Sequence, residues 1–172
     1  SISAQNIFSQ SEMEYRKSFA PYSISNVIGL EDQEMILLTE RGKGKFTLVR
    51  YDKYFFDKWS NVIDYKKEGS FPKLFRVGNE AVIFRFWTTK TEGFAEIQSY
   101  DINTGEQKSH IRKTLIKDNP TVVNANISFS ADLTVFVVYD FNSGDGTQDL
   151  IQIFDLTTLE LKKSVGIESS KT

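Results

Sequence analysis

Phe94-Ala-Glu-Ile-Gln-Ser-Tyr-Asp-Ile-Asn-Thr-Gly105 reads as a half-buried strand that runs into a tight turn, and its reading decides how the rest of the chain divides. Its second half, Tyr100-Asp101-x-x-Thr104-Gly105, has echoes at Tyr51-Asp52 and Phe154-Asp155. An Asp at the first position of a type I turn accepts a hydrogen bond from the backbone two residues on, and Gly105 supplies a positive φ. The aromatic residue before each Asp is expected to lie against a sheet face. Asp52, Asp101, Gly105 and Asp155 are therefore structural turn markers, explained without any ligand.

Working outward from these markers, the same order of strands recurs three times. Short apolar runs are punctuated by Gly, Asn, Asp or Lys clusters, which is the pattern of an all-β chain. Strands are expected over 23–30, 35–40, 45–51 and 58–65, then over 73–77, 81–88, 94–100 and 106–116, then over 122–129, 134–141, 150–154 and 160–165. The Asp markers lie 49 and 54 residues apart, the second interval being lengthened by the loop 142–149. A four-stranded unit of about 40–50 residues has the period of a β-propeller blade. The second strand of each unit, Met35-Ile-Leu-Leu, Ala81-Val-Ile-Phe and Val135-Phe-Val-Val, is apolar on both faces, as a strand covered from both sides must be. The expected fold is thus all-β, with about three four-stranded antiparallel blades over 22–66, 72–116 and 121–166. Because propellers close with four to eight blades, three require a larger or completed ring. A β-sandwich of about a dozen strands is the alternative.

Composition agrees with sheet and narrows function. Fourteen Phe, seven Tyr and two Trp favour strands. With 21 basic and 23 acidic side chains, the net charge of −2 gives no electrostatic reason to expect a nucleic acid partner. The chain has no cysteine and a single histidine, His110, which excludes thiolate metal sites and zinc sites built on several imidazoles. No apolar run reaches the roughly 18 residues of a membrane span. Residues 1–21 form a leader: Ser1-Ile-Ser-Ala-Gln5 has the character of the end of a signal peptide, and Ser11 and Glu14 have capping-box spacing. Residues 167–172 read as a polar tail or linker into further sequence.

A strand ending in aromatic-Asp, followed by Ile-Asn-Thr-Gly or Leu-Thr-Thr-Leu and then another strand, resembles the blades of the WD-repeat-like and six-bladed β-propeller families. No Trp-Asp dipeptide stands at the three marker positions, and no Gly-His pair opens a blade. Together with the Ser-Ala-Gln start and Val49-Arg-Tyr-Asp-Lys53, the pattern is similar to exported propeller proteins of Bacteroidetes-type bacteria. The resemblance covers about residues 22–166. It implies a bacterial export destination (periplasm, cell surface or secreted), with a cytoplasmic scaffold as the alternative.

In a propeller the loop between strands two and three and the loop between blades open on one face. Here those loops are 41–45, 66–71, 90–93, 117–120 and 142–149. The candidate binding residues on them are Arg41, Lys43, Lys45, Lys66, Lys67, Phe71, Lys90, Asp145 and Asp149. The stretch 140–149 is rich in oxygen ligands, but its glycines and Ile151 miss EF-hand spacing, so an ordinary hairpin loop is expected and no metal. Ser109-His110 lacks the nucleophile and orienting acid of a triad, and His110 is expected at a sheet edge. Arg85, inside an apolar strand, requires a carboxylate or carbonyl partner if buried. Trp59, Trp87 and Phe71 are expected in packing. With no catalytic signature and no cofactor motif, the sequence points to a non-catalytic protein-binding or assembly module whose partner is another protein or further blades. The alternative is the propeller portion of a larger enzyme, a peptidase or carbohydrate-active protein, with catalytic residues outside this chain.

Overall fold

The computed structural model describes residues 23–42, 44–65, 72–118, 125–140 and 149–167. The strands run β1 (Ser23–Gly29), β2 (Met35–Gly42), β3 (Lys45–Tyr51) and β4 (Asp57–Asp64), then β5 (Lys73–Val77), β6 (Glu80–Thr88), β7 (Gly93–Asp101) and β8 (Gln107–Ile116), then β9 (Asn126–Phe129), β10 (Val135–Asp140), β11 (Asp149–Asp155) and β12 (Leu161–Ile167). Each set of four consecutive strands makes its own antiparallel sheet. No strand crosses from one sheet to another, which is the order of blades rather than the Greek-key order of a sandwich. A single 3-10 turn, Glu31–Gln33, is the helical element among the described residues. The expected leader 1–21 and most of the tail lie outside the described residues.

Two compact units divide the chain, Ser1–Glu68 and Gly69–Thr172. In the first, the central strands β2 and β3 carry buried side chains at successive positions: Ile36, Leu37, Leu38, Leu48 and Val49. The edge strand β4 alternates instead, with Ile63 buried and Lys58, Ser60, Val62 and Asp64 exposed. Arg50 and Lys58 converge on Glu34, with Arg50 Nε donating at 2.8 Å and Lys58 Nζ at 2.6 Å. These two hydrogen bonds, Lys58 first, hold the Glu34 carboxyl below its usual range.

The second unit is built by packing one face of the β5–β8 sheet on one face of the β9–β12 sheet. Side chains alternate along β6. Val82, Phe84 and Phe86 therefore point one way, joined by Ala95 and Ile97, and meet Phe136, Val138, Phe154 and Leu156 of the other sheet. Phe84 lies 4.9 Å from Phe136 and 5.1 Å from Phe129 between ring centroids, while Phe75 lies 4.7 Å from Phe129. These are the spacings of tilted and edge-to-face aromatic contacts. The opposite face of the β5–β8 sheet carries polar side chains described below.

The three markers form turns, and the geometry adjusts one expectation. Asp101 Oδ1 accepts from the Asn103 and Thr104 amides at 2.8 and 3.0 Å, and Asp155 Oδ1 from Thr157 and Thr158 at 2.9 and 3.0 Å. Asp52 Oδ1 accepts from Tyr54 and Phe56 at 2.8 and 2.9 Å. In the second and third turns, however, the closing bond is one residue longer than in a type I turn, running from Gly105 N to Asp101 O and from Leu159 N to Asp155 O. The added residue is the one that takes positive φ: Gly105 at 74° and Leu159 at 57°. Leu159 offsets its backbone strain by being buried in the core. Gly105→Ala brings the same backbone strain with only a methyl group in place of a core leucine side chain, so it is expected to destabilise the protein by about 1–2 kcal/mol, read as a lowered urea midpoint at unchanged slope.

Strand bounds differ from expectation by a residue or two in most strands, and four of the differences bear on the loops. Strand β2 runs through Arg41 and Gly42, so the expected loop 41–45 shrinks to a tight hairpin in which Gly42 (φ 132°) pairs with Lys45 and Gly44 has φ 77°. Gly93 already belongs to β7. Asp149 opens β11 rather than closing a loop. Ala125 precedes β9, so the described strand is shorter than the expected 122–129.

Candidate functional site

A cleft of about 530 Å³ opens in the second unit where β5 and β6 face the start of β9. Phe84, with no exposed surface, closes its floor. Phe86 of β6 and Ala125 and Ile127 from the β9 side wall it, its polar groups are Lys73, Thr88 and Asn126, and Trp87 borders it at the end of β6 with its ring turned to the opposite face. No carboxylate stands among the described lining residues. Lys73 is exposed, and its ammonium sits 5.1 Å from the Phe129 ring centroid. It makes no ion pair with the described residues. The size falls in the range of ligand-binding clefts, which are mostly apolar with a few placed polar groups.

On the other face of the same sheet, β6, β7 and β8 line up a polar ladder. Register pairs Arg85 with Glu96, Glu96 with Arg112 and Gln98 with His110. Arg85 and Glu96 form a buried ion pair, Gln98 Nε2 donates to Glu96 Oε1 at 3.1 Å, and His110 Nε2 lies 2.7 Å from the same oxygen. Tyr100 donates its hydroxyl to Gln98 Oε1 at 2.7 Å. Trp87 closes the ladder, stacked on Phe94 at 5.4 Å, with the Arg85 and Arg112 guanidinium carbons each 4.9 Å from its ring. Burial pushes the Glu96 carboxyl up, but hydrogen bonds from Arg85, Gln98 and His110 outweigh it and hold the group below its usual range. Burial, with Glu96 nearby, pushes the Tyr100 phenol up to about 12.

The ladder is arranged for structure rather than nucleophilic chemistry. Ser109 and His110 are neighbours on β8, so their side chains leave opposite faces of the sheet. The Ser109 hydroxyl is engaged with Ser99 at 2.8 Å, while His110 turns to Glu96. His110 is on the edge strand of the sheet with its side chain 52% exposed, and Arg85 has its carboxylate partner, both as the sequence led us to expect.

Four of the nine loop residues chosen from sequence fall on described positions. Arg41 and Lys45 flank the β2–β3 hairpin of the first unit and Lys90 lies in the β6–β7 hairpin of the second, all three exposed, while Asp149 begins β11. Lys43, Lys66, Lys67, Phe71 and Asp145 lie outside the described residues. Lys90 is two residues beyond Thr88, so it stands at the same end of the sheet as the cleft. The loop residues expected from the sequence do not include Lys73, Phe86 and Ile127, which line the cleft. These lie in strand ends, where an apolar residue reads as core; the one available signal was Lys73 opening a short strand beside a Trp-bearing one.

Carboxylates at the turns give a common pH response. Asp101, chiefly through the Thr104 and Asn103 amides, Asp132, chiefly through the Ser130 and Thr134 hydroxyls, and Asp155, chiefly through the Thr157 hydroxyl and Lys162, are held below the ordinary 3.8, and Glu96 lies below 4.5. Stabilisation from a depressed carboxyl is fully present above its ordinary value and is lost as pH falls through the folded one. Urea midpoints are thus expected to be level above pH 4.5 as far as these groups are concerned and to fall steadily below it. Asp155→Asn should flatten part of that fall.

Among the described residues, no helix is long and apolar enough to cross a membrane, and no group of three or more His, Asp or Glu is placed to hold a metal ion. No protein-family model matches the chain, and no curated protein matches it. The chain is similar to a solved structure described as the crystal structure of the eukaryotic initiation factor, at 13% identity and a TM-score of 0.46, over 87% of this chain and 33% of that one. It spans about a third of that structure's length. The three four-stranded antiparallel sheets are compatible with a propeller-like fold.

Proposed function

We propose that the chain is a non-catalytic protein-binding or assembly module, part of an exported β-propeller of the WD-repeat-like or six-bladed kind. The observation that supports this most is the open, apolar cleft at the loop end of the second unit, bordered by the exposed ammonium of Lys73 with Lys90 in the hairpin above. A rigid meander holds such a surface at no ordering cost, and exposed cations around an apolar patch suit contact with another protein more than chemistry. Edge strands β4, β8 and β12 add main-chain groups that further blades or a partner can pair.

The test is isolation of the full-length native gene product, expressed at its natural level, followed by cross-linking and cell fractionation. A stoichiometric protein partner, retained by the wild type and lost when Arg41, Lys45 and Lys90 are reversed to Glu, is the expected result. An intact monomer with nothing bound at native levels overturns the reading. Recovery with the cytoplasmic fraction overturns the exported part of it.

A further inference from the structure

The marker turn occurs three times, and its first copy inverts the pattern of the other two. Asp52 N donates to Phe56 O, as Asp101 N does to Glu106 O and Asp155 N to Glu160 O, so Phe56 occupies the place of two glutamates. The residue after the Asp is buried in the second and third units, Ile102 and Leu156, and is the exposed Lys53 in the first. Tyr54 and Phe56 are 68% and 71% exposed, the exposed aromatic side chains among the described residues. The other two copies close with polar residues at these places, so the turn itself does not require rings there. Asp52 Oδ1 accepts from the amides of both residues, which carries the two rings on a fixed backbone.

Charge at this end of the sheet is in excess of one sign. In an antiparallel meander the β1–β2 and β3–β4 turns share an end, and the register runs a cross-strand row there through Gly29, Met35, Tyr51 and Asp57. The β2–β3 hairpin, with Arg41 and Lys45, lies at the other end. On the shared end Glu31, Asp32, Glu34, Asp52 and Asp57 stand against Arg50, Lys53 and Lys58, five carboxylates to three cations. Glu34 takes both Arg50 and Lys58, and Lys53 lies 5.0 Å from the Tyr54 ring centroid. Glu31, Asp32 and Asp57 are exposed and make no ion pair with the described residues.

We propose that this end of the first sheet docks a basic, arginine-bearing segment of a partner protein, with a guanidinium laid on the Tyr54 or Phe56 ring and neighbouring cations drawn to Glu31, Asp32 and Asp57. This rests on the binding-module reading above and specifies the chemistry of its partner. Aromatic rings attract a cation over their faces, and the planar, weakly hydrated guanidinium of Arg stacks on them better than the ammonium of Lys. The carboxylates choose the sign of the partner, steering a basic segment in and repelling an acidic one. An uncharged apolar partner covering the rings would strip water from those three carboxylates and return no counter-charge.

The probe is a fluorescein-labelled peptide, Gly-Arg-Thr-Arg-Ser-Arg with blocked ends, titrated at low salt against the full 172-residue chain by anisotropy. Saturable binding is expected. Tyr54→Thr with Phe56→Ser removes both rings and keeps every charge, and should weaken binding about five- to tenfold at an unchanged urea midpoint. Glu31→Gln with Asp32→Asn and Asp57→Asn should weaken it by a similar factor and flatten its salt dependence. Lys in place of each peptide Arg should lose about two- to fivefold, and Glu in place of each should abolish binding. Absence of saturable binding, indifference to loss of the rings, or equal binding of the acidic peptide overturns the proposal. So does a large fall in urea midpoint on loss of the rings, since they then belong to the core. Self-association of the chain that disappears with the rings overturns it too, the occupant then being the Arg41–Lys45 hairpin of a second copy. If the native partner is lost on reversal of Arg41, Lys45 and Lys90 yet kept when the rings are removed, this surface fails while the binding-module reading stands; a native monomer with nothing bound overturns both.

Discussion

Glu96→Ala is expected to destabilise the second unit by about 3–5 kcal/mol, enough to threaten its folding. Arg85 and Glu96 are 2% and 5% exposed, and their charges are compensated chiefly by one another. Taking two charges out of water is costly, and mutual attraction with added hydrogen bonds repays that cost; removing the carboxylate leaves a guanidinium buried with the cost unrecovered. The same change takes an acceptor from Gln98 and His110. Glu96→Gln should be nearly as damaging, because it keeps the shape and loses the charge. The informative variant is the double one, Arg85→Met with Glu96→Leu, which removes both charges and keeps the volume. Its loss should be smaller than that of either single charge-removing variant, since well-packed apolar residues replace buried ion pairs at little cost or with a gain. A double variant as unstable as Glu96→Ala would mean that the ladder acts through its hydrogen bonds to Gln98 and His110 rather than through charge compensation. Equilibrium urea unfolding of the four proteins decides the matter.

This ladder also shows what a sequence can and cannot disclose. Arg85 interrupts an apolar strand, and that alone requires a partner of opposite charge; burial turns the anomaly into an ion pair. Its identity needed the register. Glu96 is one acid among 23 acidic side chains until β6 and β7 are paired through the Thr89–Glu92 connection. The turn markers were legible because Asx chemistry is local: Asp52, Asp101 and Asp155 bond amides two to four residues away. The cleft was not, because it is made where the ends of β5 and β6 face β9, some forty residues further on. Phe86 and Trp87 read equally well as core, and which apolar residue of a strand end is left half-covered depends on where the next sheet begins. Arg41 and Asp149 were placed in loops because charge and glycine favour loops, but the hairpin geometry carried β2 and β11 further than composition suggested.

Phe84→Ala and Phe136→Ala should each cost about 3–5 kcal/mol, and the pair should not be additive. Both rings have no exposed surface, and they stand 4.9 Å apart across the interface between the β5–β8 and β9–β12 sheets. Each truncation forfeits the transfer energy of the ring and opens a cavity that Phe129 and Phe154, at 5.1 Å from Phe84 and 5.3 Å from Phe136, fill only in part. Once one ring is gone, the second has lost its edge-to-face partner. The double variant should therefore fall short of the sum of the singles by about 0.5–1.5 kcal/mol, the worth of an aromatic pair beyond its area. The cycle reports more than a contact. Phe84 belongs to one sheet and Phe136 to the other, so a coupling appears only if the two sheets unfold together. If each sheet were its own folding unit, unfolding would show two transitions, with Phe84→Ala moving one and Phe136→Ala the other. A single transition shifted by both variants, with the coupling present, makes the sheet pair the cooperative element that holds β9 rigidly beside β6 and so keeps the cleft between them open.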